Sequence, residues 1–145
     1  MDVLKFLKSI RAKQNELHTL IDTRDTLRLM LLPSGIRYDL DKVQTSPEDR
    51  MPGVASDLVE IENNIDRCVA RLSKDIRLAQ EVIEQCPSPE CRELLMLRYV
   101  SGDRRRSEWN EIAKKMGYSA SHVNGYLHGK AISEARVAWK NVSKQ

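Results

Sequence analysis

Two runs of residues repeat at alternating intervals of four and three. The first is Val3, Leu7, Ile10, Gln14, Leu17 and Ile21; the second is Val54, Leu58, Ile61, Ile65, Cys68, Leu72, Ala79 and Val82. This spacing places the apolar side chains on one stripe of a helix, the pattern of helices that pack side by side. Gln14 interrupts the first stripe and Asp75 the second, where neighbouring Ile76 is available to continue it. The runs predict long helices over residues 2–32 and 54–85. Asp2 stands at the N-cap of the first, and Pro33-Ser34-Gly35 ends it. A linker over residues 33–53 holds Ser46-Pro47, a helix start, and then Pro52-Gly53, which interrupt that start or fall in its first turn. Two such helices make an antiparallel hairpin, and pairing between two chains is equally allowed. A seam this long has few other elements to cover it, so a homodimer through the N-terminal helices is an expectation.

Cys86-Pro87-Ser88-Pro89 is the sharpest break in the chain. Proline cannot continue the second helix, whereas Ser88 and Pro89 suit the cap and first position of a new one. The expected division is therefore a helical hairpin over 1–86 and a second domain over 87–145. Charge divides in a similar place. Residues 1–97 carry 14 Lys and Arg against 17 Asp and Glu, a net −3; residues 98–145 carry 10 against 4, a net +6. The basic end is where a polyanion would bind. Abundant charge and a single Phe suit an all-α protein with solvated helix faces.

Three short helical segments follow. Residues 89–100 close at Ser101-Gly102. Residues 108–116 are expected to be capped by Ser107 and closed by Gly117. A third segment begins at Ser119. Gly117 supplies the left-handed residue that a tight turn between crossing helices needs, and Ser119 caps the next helix. Ile112, Ala113 and Met116 share a face of the second segment; Val123 and either Tyr126 or Leu127 share a face of the third. Small Ala113 allows a close crossing. Together these features predict a helix-turn-helix.

The stretches CRELLMLRYVSG and EWNEIAKKMGYSASHV resemble the C-terminal promoter-reading domain of bacterial sigma factors. Nearly the whole chain resembles small phage late-transcription regulators of the ArpU/RinA type. Their VQxSPxxDxM element reads here as residues 43–51, and their His-Gly-x-Ala-Leu element as His128-Gly129-Lys130-Ala131-Ile132. The resemblance implies binding of double-stranded DNA upstream of phage or prophage late genes, and contact with RNA polymerase. Two departures stand out. The connection through Asp103-Arg104-Arg105-Arg106 is longer and more basic than a minimal one, and the stretch from Val123 to His128 is one residue longer than the family pattern.

In a DNA-binding reading, phosphate contacts fall to Arg104, Arg105, Arg106, Lys114, Lys115 and Lys130, with Ser119 at a helix N-terminus. With Val123 inward, Ser121, Gly125 and His128 face outward, flanked by His122 and Asn124. Asn124 suits adenine; Ser121, His122 and His128 can donate or accept. No arginine lies on this face, so modest specificity, or help from a dimer or polymerase, is expected. Tyr99 and Trp109 are expected to pack together in the small core. Gly125 leaves a notch for close approach. Gly129 is expected to break or kink the helix, leaving a recognition helix over 119–128 and a separate tail helix, because a straight helix would aim Ile132 away from Val123.

Three cysteines, Cys68, Cys86 and Cys91, with no zinc-ligand spacing, suit free thiols in a bacterial cytoplasm. No apolar run is long enough for a membrane span. No nucleophile–base set or Gly-rich phosphate loop emerges, so neither enzyme activity nor a cofactor is expected. Two other readings fit the same residues: a DNA-packaging adaptor of the small-terminase type, and an adaptor that binds only protein, such as polymerase.

Overall fold

The computed structural model describes residues 2–32 and 47–144, with side chains from residue 53 in the second stretch. Pro33-Ser34-Gly35 and residues 43–46 lie outside the described residues. Among those described, all regular structure is helical. The elements are α1 (Val3–Met30), α2 (Pro47–Glu84), α3 (Pro89–Leu95) running on as a π-helical turn (Met96–Val100), α4 (Trp109–Met116), and a π-helical segment (His122–Leu127) that leads directly into α5 (His128–Ser143).

α2 starts seven residues before the position the apolar repeat gave it. Pro47 stands at its head, and Pro52 and Gly53 lie inside it without interrupting it. The helix that begins at Pro47 thus carries the apolar repeat as well; at its first position proline lacks only a donor that the first turn of a helix leaves unused.

The chain divides into two compact units, residues 1–15 with 71–145, and residues 16–70. The expected border at residues 86 and 87 falls inside the first of these units. The first turns of α1 and the last of α2 lend their apolar stripes to the C-terminal helices. Val3, Phe6, Leu7 and Ile10 from α1, and Leu72, Ala79, Val82 and Ile83 from α2, are buried with Leu94, Leu95, Ile112, Val123 and Leu127. Short helices such as α3 and α4 cannot enclose a core alone.

In both units an ion pair joins α1 to α2: Lys13 with Asp75 at 2.5 Å in the first, and Arg28 with Glu62 at 3.1 Å in the second. Numbers rise along α1 as they fall along α2, the order of an antiparallel pair. Among the described residues of unit 16–70, Ile65 alone is buried, at 8 % exposed. Leu17, Ile21, Leu58, Ile61 and Cys68 are half-buried.

Both polar interruptions of the stripes are explained by partners. Asp75 meets Lys13. Gln14, 7 % exposed, donates through Nε2 to the carbonyl of Val100 at 3.0 Å, an acceptor left over at the end of the π-turn. Arg92 donates to the carbonyls of Cys86 and Pro87 and so holds the connection between α2 and α3. Asp2 stands at the N-terminus of α1 and pairs with Arg136 of α5 at 3.3 Å, while Phe6 packs on Trp139 with ring centres 4.9 Å apart.

Candidate nucleic-acid interface

α4 ends at Gly117, whose φ of +79° is the left-handed conformation expected of it; its N–H and that of Tyr118 both donate to the carbonyl of Ala113. Ser119 then caps the next helix. Its Oγ accepts from the His122 N–H at 3.2 Å, and its carbonyl accepts from the Val123 N–H. Ile112 and Ala113 of α4 and Val123 and Leu127 beyond the turn are buried, and α4 packs against the π-helical segment. Ser107 does not cap α4. Glu108 holds that position, and Ser107 is buried, with Oγ accepting from Arg11 and donating to the carbonyl of Arg104.

The segment after Ser119 differs from expectation in one decisive way. The helix runs unbroken over residues 120–143, so it does not stop at Gly129 and no separate tail helix follows. The change of face comes earlier. Between His122 and Leu127 the bonding is π-type, with the His128 N–H donating to the carbonyl of Val123. A π turn takes in one residue more than an α turn. Val123 and Leu127 therefore line up inward, and Ala131, Ile132, Ala135, Ala138 and Val142 follow on the buried side of a continuous helix.

The same turn moves His128 off the outer face. His128 is half-buried, its Nε2 is 2.7 Å from the Tyr99 hydroxyl, and Trp109 meets it edge-on at 4.9 Å. The guanidinium of Arg98 stacks over Trp109 at 4.3 Å and donates to the carbonyl of Ser107. Burial, with Arg98 and Lys8 adding to it, holds the His128 pKa below its ordinary 6.5. His128 thus links Tyr99 and Trp109 rather than facing outward as expected.

Ser119, Ser121, Asn124 and Gly125 are exposed, and nothing stands within 4 Å of the space a Cβ would fill at Gly125. His122 is half-buried between two rings, Tyr118 at 4.8 Å and Tyr126 at 5.4 Å. Tyr126, one of two candidates for the inner face, is 66 % exposed; Leu127 is the inward residue. The signal in the sequence was the spacing of Tyr118, His122 and Tyr126 at intervals of four.

The basic residues separate into groups. Arg106, Lys114 and Lys115 line one open groove with Leu97 and Glu111. Arg106 reaches Asp103 at 3.5 Å and Lys114 reaches Glu111 at 3.8 Å, both as exposed pairs of little strength. Arg105 is exposed. Arg104 is also exposed, but its guanidinium donates to the Asn15 carbonyl at 2.6 Å, which anchors the loop to α1. Lys130 is exposed on α5 near Glu134, a carboxylate that accepts from the Ser88 N–H and the buried Cys91 thiol. No acidic residue occurs between Glu111 and Glu134.

Cys68, Cys86 and Cys91 form no disulfide, and no cluster of three metal-ligating side chains occurs among the described residues. No helix among them is long and apolar enough to cross a membrane. Compared with protein-family models, curated proteins and solved structures, the chain matches none.

Proposed function

We propose that this chain is a sequence-specific double-stranded-DNA-binding transcription regulator, a phage or prophage late-gene activator that works with RNA polymerase in the bacterial cytoplasm. The observation that carries the reading is the start of the long C-terminal helix. A left-handed Gly117 and a Ser119 cap present Ser121, His122, Asn124 and Gly125 on a stretch free of acidic residues, just after the lysines of a basic groove. This is the form of a helix-turn-helix whose second helix enters the major groove by its N-terminal residues. The resemblance to regulators of the ArpU/RinA type supports it, and the extra residue between Val123 and His128 is of the length a π turn absorbs. Within unit 16–70 the half-buried stripe supports a homodimer, which would supply the specificity that a reading face without arginine lacks.

The test is titration of the full chain with random-sequence duplex DNA over a range of salt, followed by selection of bound duplexes with and without RNA polymerase. Affinity should fall steeply with salt, with a logarithmic slope of about −0.9 per phosphate contacted. Absence of binding at low salt, or a flat salt dependence, would overturn the reading.

A further inference from the structure

The exposed edge of the same helix carries an ordered stack of rings that no phosphate contact requires. Tyr118, His122 and Tyr126 follow one another at centre distances of 4.8 and 5.4 Å. The stack is fixed at one end, where the Tyr118 hydroxyl donates to Glu90 of α3 at 2.5 Å. At the other end Tyr126 is 66 % exposed, more than any other large apolar or aromatic side chain described. An exposed aromatic ring is common; one whose orientation is set by a stacked neighbour has already lost much of the freedom that binding would cost.

The position of Tyr126 says what it would meet. It lies one π turn beyond His122, beside Gly125 and two residues beyond Asn124, within the part of a recognition helix that reaches base edges. Gly125 adds no side chain to hold the helix away from a surface. Along the chain, Lys114, Lys115 and Lys130 fall between Glu111 and Glu134 with no acid among them. The carboxylate of Glu90 lies at the far end of the stack from Tyr126 and is engaged by Tyr118. A polyanion suits this charge. The feature of a major groove that an apolar ring reads is the C5-methyl group of thymine, which neither cytosine nor a purine offers.

We infer that Tyr126, held in place by the Tyr118–His122 stack, reads thymine in the major groove by contact with its 5-methyl group. This rests on the proposal that the helix binds duplex DNA, and it adds a specificity residue to it. Asn124 and Tyr126 then read from opposite flanks of the helix, one by hydrogen bonds and one by apolar contact.

The experiment compares two random-sequence duplex pools, one with thymidine and one with deoxyuridine throughout, bound by the full-length wild type, Tyr126→Ala and Tyr126→Phe. Removing the methyl should weaken the wild type about fourfold for each methyl contacted, the worth of one buried carbon. Tyr126→Phe should keep that ratio, whereas Tyr126→Ala should bring it to one while leaving the salt dependence unchanged. If the wild type binds both pools equally, or Tyr126→Ala keeps the ratio, the thymine contact is wrong and duplex binding stands. Stronger binding of the wild type to single strands than to duplexes would overturn the groove contact. If the wild type binds neither pool at low salt, both proposals fall.

Discussion

The Tyr99 hydroxyl lies 2.7 Å from Nε2 of His128, and this bond joins the end of the α3 helix to the middle of the long C-terminal helix. It engages a histidine that the sequence places on the outer face of the helix. Trp109 of α4, with Arg98 of the π-helical turn stacked on it, completes the cluster.

The cluster makes stability depend on pH. Burial lowers the His128 pKa in the folded chain below the 6.5 of an exposed imidazole. The unfolded chain then binds the proton more tightly. The stabilisation is complete above pH 6.5 and is lost as pH falls from there through the folded pKa. Urea unfolding of the wild type should show this decline, and His128→Gln should flatten it. Tyr99→Phe should cost about 1 kcal/mol, the net worth of one hydrogen bond.

Three glycines should respond differently to alanine. Gly129 lies in a continuous helix with open space at its Cβ position, so Gly129→Ala should stabilise the fold by about 1 kcal/mol. Gly125→Ala should not destabilise the fold, yet it should weaken duplex binding by filling the notch. Gly117→Ala should destabilise by about 1–2 kcal/mol, because φ of +79° strains any residue with a Cβ. Thermal melts and binding titrations of the three variants separate these outcomes.

Lys115 and Arg104 test the division of the basic residues. Lys115→Ala should lower duplex affinity at every sequence and reduce the magnitude of the salt slope by about 1, with no change in melting temperature. Arg104→Ala should instead lower the melting temperature, through loss of the bond to the Asn15 carbonyl. Equal effects of both variants on the salt slope would show that Arg104 also contacts phosphate.

Gln14→Leu would complete the apolar stripe and still destabilise the protein. It leaves the buried carbonyl of Val100 without its donor, a loss of about 1–3 kcal/mol. Denaturant titration is sufficient to measure it.

The repeats beginning at Val3 and Val54, the break at Pro87, the left-handed Gly117 and the Ser119 cap were legible in the sequence. Each is a local preference: a period, a missing donor, a residue without a Cβ, a hydroxyl that meets a free N–H. These features determined an all-helical chain with an antiparallel pair and a turn before a capped helix. Tertiary structure decided the rest. Gln14 reads as a flaw until the Val100 carbonyl is brought to it, and Ser107 reads as a cap until Arg11 arrives from another helix. The fate of Gly129, His128 and Tyr126 turned on one π-helical segment, which the α-helical period does not contain. Burying Val123, Leu127 and Ile132 on one side of a single helix required that extra residue in the turn. It turned His128 inward and left Tyr126 exposed, because packing, rather than local propensity, sets the phase of a helix that must fill a core.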